Sequence, residues 1–205
     1  MKHSLYDKSR LTSVNVLGYI SEQYPKSKMI NKEKEKMLNI TSFQQSLFGK
    51  KGDGDCTLVS LMTCLYYYLK EEIDKTLLYD AIRSKAEKRF FSEKIGLLPF
   101  FTLGLYKKLL KQFSLKHSAK SAWFKGIGYN FNTIKKCIDN NIPVVLSITN
   151  DGRGYYKNHS VTVVGYRIYK ADNKEIKMLI LYDNWAFSES LLDYNKLSVL
   201  SAIYF

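Results

Sequence analysis

The segment Gly52-Asp53-Gly54-Asp55-Cys56-Thr57-Leu58-Val59-Ser60-Leu61-Met62 constrains the fold of this chain more than any other. Two glycines and two aspartates break regular structure, and an apolar pattern begins directly behind them. Leu58, Leu61, Met62, Leu65 and Leu69 recur at the three- and four-residue spacing of one helical face. A helix is therefore expected from Cys56 to about Glu72. Asp55 is expected to cap it, since a carboxylate can accept the orphan N–H groups of a first turn. Cys56 then opens a buried helix, where the positive end of the helix dipole favours a thiolate. A small apolar residue opening a core helix would look the same, because free cysteines are commonly buried and inert. The rest of the chain has to discriminate.

Composition removes several function classes. With 205 residues, 45% of them hydrophobic and 14% aromatic, the chain can build one good core or two small lobes. Cys56, Cys64 and Cys137 form no C-x-x-C pair, which argues against a structural zinc site or a disulfide framework. Cys64 and Cys137 fall inside helical patterns and read as small hydrophobes. The Gly-Asp-Gly-Asp run lacks the spacing and the distal Glu of a calcium loop, so neither metal nor cofactor is expected. The N-terminus has no apolar signal region, and the longest apolar run, Leu58 to Leu69, is too short to span a bilayer. A soluble chain without a transmembrane segment is expected, cytoplasmic as given. The net charge of +13 comes from lysines spread along the chain, with no arginine cluster or nucleic-acid motif. Nucleic acid is therefore not the expected partner, and attraction to an anionic cell-wall polymer or to a peptide or protein substrate stays open. His3 and His117 read as surface residues.

Along the chain, residues 1–40 form a mixed N-terminal extension. Residues 11–17 read equally as a short strand or a helix start, and Lys32-Glu33-Lys34-Glu35-Lys36 reads as a solvated surface segment. After the cysteine helix, Asp74 starts a second helix bearing Leu77, Leu78, Ala81 and Ile82. Gly96 and Pro99 separate it from a third, residues 102–113, and Asn132 caps a fourth, residues 133–140. Residues 115–130 carry little pattern. The texture then changes to strands at 143–148, 159–169, 176–182 and 197–204. Helices first and strands second give an α+β fold, a single domain with a helical lobe (41–141) and a β lobe (142–205).

Two polar residues stand out in the second half. His159 heads the run Asn158-His159-Ser160-Val161-Thr162-Val163-Val164-Gly165-Tyr166, and Asp183 ends Leu179-Ile180-Leu181-Tyr182-Asp183-Asn184-Trp185. A cysteine at a helix start, a histidine at a strand start and an acid or amide nearby are the parts of a nucleophilic cysteine site. The order and the motifs resemble those of papain-like cysteine peptidases, and more closely the bacterial branch of bacteriocin-processing peptidases, from Gln44 to Trp185. The resemblance implies a two-lobed papain-like fold. It implies Cys56 as nucleophile, His159 as general base and acid, and Asp183 as the residue that orients the ring. It also implies an oxyanion-hole glutamine a few residues before the cysteine. Position 50 is Lys, so Gln45, with Gln44 behind it, becomes the candidate if residues 48–55 hold an insertion.

Strand parity bears on the third residue. An odd loop of three or five residues around Ala171 would place Asp183 on the face of His159; an even loop would bring Asn184 there. Asp183 is the expected orienting residue and Asn184 the auxiliary one. The function expected is peptide hydrolysis through an acyl-enzyme. The alternatives are acyl transfer to an amine in the manner of a transglutaminase, or a non-catalytic peptide-binding module of the same fold.

Overall fold

The computed structural model describes residue 5 and residues 8–48, 53–70, 72–88, 91–123 and 131–204. In chain order the elements are α1 (Val16–Gln23), β1 (Ile30–Met37), α2 (Cys56–Tyr68), α3 (Lys75–Glu87), α4 (Pro99–Gln112), β2 (Lys120–Trp123), α5 (Phe131–Asp139), β3 (Val144–Asn150), β4 (Lys157–Ala171), β5 (Lys174–Tyr182), β6 (Ser190–Asp193) and β7 (Ser198–Tyr204). Local chemistry explains several of the boundaries. Asp74 caps α3 by accepting from the N–H groups of Thr76 and Leu77. Pro99, expected to separate two helices, instead starts α4, where its missing N–H costs nothing. The α5 helix begins one residue before Asn132, which therefore lies inside it and not at its cap.

Helix α2 is the centre of the molecule, buried at every position from Cys56 to Tyr66. Its two sides are chemically different. Leu58, Leu61, Met62 and Leu65 pack into an apolar cluster with Leu78 and Ile82 of α3 and Leu105 and Leu109 of α4. The side facing the sheet carries Thr57 and Ser60. The Thr57 hydroxyl lies 2.8 Å from that of Ser160, and the Thr162 hydroxyl donates to the Ser60 carbonyl at 3.3 Å. Small polar side chains on both surfaces let the helix lie close against β3 and β4 while leaving few polar groups unpaired.

The strands run in the order β2-β7-β3-β4-β5-β6, antiparallel throughout, and β1 also pairs with β4. The long β4 has two neighbours along one edge. Lys157 to Val163 pair with β3, and Gly165 to Ala171 pair with β1. The far side of the sheet is filled by Val144, Leu146, Val161, Val163, Leu179 and Leu181, with α1 and α5 packed over them. Together these features make the α+β architecture expected from the sequence.

Three sequence expectations are extended or changed here. The Lys/Glu run, solvated as read, is in addition the edge strand β1, with Lys32 opposite Tyr169 and Lys36 opposite Tyr166. Alternating charge still solvates it, and charge on an edge strand discourages pairing with further chains. A short strand, β2, lies in the stretch read as patternless. The β4–β5 turn has two residues, Asp172 and Asn173, since Ala171 pairs with Lys174. That parity alone would have set Asn184 on the face of His159. A bulge between Val163 and Gly165 resets the register, so that Thr162 pairs with Tyr182 and Asp183 follows directly. Gly165 at that bulge is needed sterically, because a Cβ there would stand 2.5 Å from the Lys36 carbonyl oxygen of β1.

Among the described residues no helix is long and apolar enough to cross a membrane.

Candidate active site

Cys56 enters α2 straight from a short 3-10 turn, Asp53–Asp55. Because Asp55 already has near-helical angles (φ −82°, ψ −1°), its carboxylate does not cap the helix as expected. It turns instead to α3, accepting from the Tyr79 hydroxyl at 2.7 Å with Arg83 Nη1 3.8 Å away. Gly54 brings the same turn against Gly96. A Cβ on Gly54 would lie 2.8 Å from the Gly96 backbone and from the Glu93 carbonyl oxygen. That approach seats residues 94–98 as one wall of a cleft of about 500 Å³, which Cys56, Thr57, Ser147 and His159 also line. Gly54→Ala is expected to cost about 1–3 kcal/mol of overpacking. The loss should show in denaturant unfolding; an unchanged midpoint would mean that the two loops are not held in contact.

His159, at the start of β4, is buried and has one ring nitrogen committed to the main chain. Nε2 lies 2.7 Å from the main-chain carbonyl oxygen of Asp183. A carbonyl only accepts, so Nε2 is the ring nitrogen that donates, and Nδ1 is the one left for another partner. Trp185 stacks on the ring at 4.2 Å between centroids, and Tyr156 lies parallel to it at 5.8 Å. Burial pushes the Cys56 thiol up. The hydrogen bond and charge of His159, the Ser160 N–H and the Thr57 hydroxyl outweigh burial and bring it below the ordinary thiol value. Burial drives Cys64 upward, and it drives Cys137 upward too, against a smaller lowering by the Lys136 charge.

The carboxylate of Asp183 does not meet the histidine. It is fully buried and accepts from Arg10 Nε at 2.8 Å, Tyr156 at 3.0 Å, Ser190 at 2.7 Å and the N–H groups of Trp185 and Ala186. Burial alone would push this carboxyl up. Its hydrogen bond from Ser190, the Arg10 guanidinium and the Trp185 N–H win, holding it below the usual carboxylate range. The expected contact between the Asp183 side chain and the ring is therefore corrected to one through its main-chain oxygen, because the side chain is consumed in fixing its own turn.

Asn184, in the left-handed region at φ 65°, faces the other way. Its Nδ2 is 3.0 Å from the Cys56 carbonyl, 2.9 Å from the Ser60 hydroxyl and 3.0 Å from the Ser160 carbonyl. One amide thus ties the cysteine helix to the histidine strand.

Gln45 donates its backbone N–H to the Asn184 carbonyl at 2.9 Å, and the Gln44 side chain accepts from Ser46. Neither glutamine side chain is among those lining the cleft. Lys50 and His3 lie outside the described residues. His117 is exposed, its ring 4.1 Å from that of Tyr68. Sequence reasoning missed Arg10. A single arginine in an unpatterned stretch, 173 residues from its partner, gives no local signal.

A cysteine at the head of a buried helix, paired with a strand histidine whose tautomer is fixed, is an arrangement that can be compared with known families. Residues 37–199 match the model of the Peptidase_C39 like family, a papain-like cysteine peptidase family. The chain belongs to this family. A search of curated proteins returned no match. As a C39-like chain it carries the histidine strand and the cysteine helix within the matched stretch, with Arg10 and α1 ahead of it and β1 largely so. Among the described residues no group of three or more His, Cys, Asp or Glu is placed to hold a metal ion.

Proposed function

We propose that the protein hydrolyses peptide bonds with Cys56 as nucleophile and His159 as its proton carrier. The observation that carries this is the division of labour on the His159 ring: Nε2 is committed to the Asp183 carbonyl, and the thiol pairs with the ring. The thiolate attacks the substrate carbonyl carbon while Nδ1–H of the imidazolium faces the leaving nitrogen. As the C–N bond breaks, that proton passes to the amine and an acyl-enzyme remains. Nδ1, now neutral, takes a proton from water as the water attacks the thioester. The acid leaves and the thiolate–imidazolium pair re-forms. The positive end of α2 at the cleft stabilises the thiolate and the oxyanion that replaces it.

Brief treatment with iodoacetamide near neutral pH should modify Cys56 well before Cys64 and Cys137, and cleavage of a peptide library should fall in step with that modification. Equal labelling of the three thiols, or cleavage that survives full modification of Cys56, would overturn the reading. One observation favours a peptide-binding module instead, namely that neither Gln44 nor Gln45 lines the cleft. Peptides retained without cleavage by a chain whose Cys56 is reactive would decide for that module.

A further inference from the structure

Arg10 lies ahead of the matched residues 37–199, in the stretch that reads from sequence as an extension. Its guanidinium nevertheless closes over the turn that follows β5. Nε donates to Asp183 Oδ2 at 2.8 Å, Nη1 to the Ser188 hydroxyl at 2.8 Å and Nη2 to the Ser188 carbonyl at 2.5 Å. One rigid planar fork therefore grips both ends of the segment 183–188. The backbone around Arg10 is itself pinned. The Asn15 amide donates to its carbonyl, Arg153 donates to the Ser9 carbonyl, and the Leu191 N–H donates to the Leu11 carbonyl. This is not an ordinary surface ion pair of small worth, because the carboxylate is wholly buried and the arginine side chain only 20% exposed.

The gripped turn is the one whose first residue presents its carbonyl to His159 Nε2. We infer that Arg10 is a positioning residue of the site: it fixes the 183–188 turn, and through the Asp183 carbonyl it fixes the ring that serves Cys56. The stretch 8–15 is then part of the active site and not an appendage to it. The catalytic meaning of this inference rests on the proposed peptidase reading, but its effect on the thiol does not need a substrate.

Among the described residues, the charged and titratable groups around Asp183 and His159 include Cys56 from α2, Tyr155 and Tyr156 from the turn before β4, Lys94 in the wall of the cleft, and Arg10; nearby Arg153 is paired with Asp151. Without Arg10 the Asp183 carboxylate keeps only neutral donors: Tyr156, Ser190 and two backbone N–H groups. Its charge is then uncompensated near the site and its turn is loosened. Both changes disfavour the thiolate, so the acid limb of Cys56 reactivity moves to higher pH.

The test is the pH profile of Cys56 alkylation by iodoacetamide in the full chain, read by mass spectrometry below each variant's melting temperature. Arg10→Gln is expected to react on the order of 10–100-fold more slowly near neutral pH, the cost of a misplaced ring, with its acid limb displaced upward. Arg10→Lys is expected to fall between, because an ammonium restores the charge but not the three-point grip. Should Arg10→Gln fail to fold, Arg10→Lys decides alone. A folded variant of either kind whose profile superimposes on that of the parent chain overturns the inference, even if its melting temperature drops. A parent chain in which Cys56 reacts no faster than Cys64 and Cys137 would instead defeat the peptidase reading, so the two failures are distinguishable.

Discussion

Replacing His159 with Gln is expected to lower peptide cleavage by roughly 10²–10⁴-fold, the usual worth of a positioned general base. The same substitution should erase the lead of Cys56 over the other two thiols in reactivity. Burial by itself raises the Cys56 thiol; the ring's hydrogen bond and charge lead the groups that bring it down. With the ring gone, burial dominates and the thiol moves upward, toward the range of Cys64 and Cys137. The thiolate fraction at neutral pH therefore collapses, and the rate of alkylation should rise only in alkaline solution. A pH–rate profile of alkylation measures this directly. A His159→Gln chain with the parent's profile would show that the thiol is tuned by the helix, Ser160 and Thr57, and would leave no role for the histidine.

The second large effect is expected at Asn184, on stability rather than on chemistry. Its amide is the donor that joins the Cys56 carbonyl on α2 to the Ser160 carbonyl on β4, with the Ser60 hydroxyl between them. Asn184→Ala strands buried acceptors, each worth about 1–3 kcal/mol, and puts a less tolerant residue at φ 65°. Asn184→Asp should be worse, although it is nearly isosteric and tolerates that backbone angle. It removes both donor hydrogens and sets a carboxylate against two carbonyl oxygens, with only the Ser60 hydroxyl able to turn and donate to it. Because only the protonated new carboxyl could donate there, folding would raise its pKa. The stabilising form is then present at low pH and lost as pH rises, so the deficit should be larger at neutral pH than in acid. Chemical denaturation at two pH values reads both parts. Asp outperforming Ala at neutral pH would mean that the amide is not the brace described here.

Much of this was legible in the residues themselves, because the relevant signals are local. The Gly/Asp break followed by Leu58, Leu61, Met62 and Leu65 marks the start of α2 to the residue, and the β-branched run after Asn158 marks β4. Both follow from periodicity and turn chemistry over a few positions. What escaped depends on tertiary partners. Asp55 has the composition of a cap, but α3 offers it a tyrosine and an arginine. Asp183 has the composition of an orienting carboxylate, yet five donors claim its side chain and leave only its carbonyl for the ring. The register of the β4–β5 hairpin was decided by two features, a two-residue turn and a bulge, whose effects on parity cancel. Lys32 to Lys36 looked merely soluble because an edge strand exposes most of its side chains and reveals itself only through backbone pairing with β4.

The wide separation of the groups that meet around His159 has a consequence during synthesis. Arg10 and Asp183 are 173 residues apart, and β1 finds its partner only once β4 exists. A ribosome adds about 5–20 residues per second, so Cys56 is exposed to the cell for many seconds before the turn at 183–188 emerges. Through that interval its thiol has neither the ring nor the clamp that would make it acidic. The nascent chain therefore carries its nucleophile in an unarmed form, and arming coincides with the last strands closing the sheet.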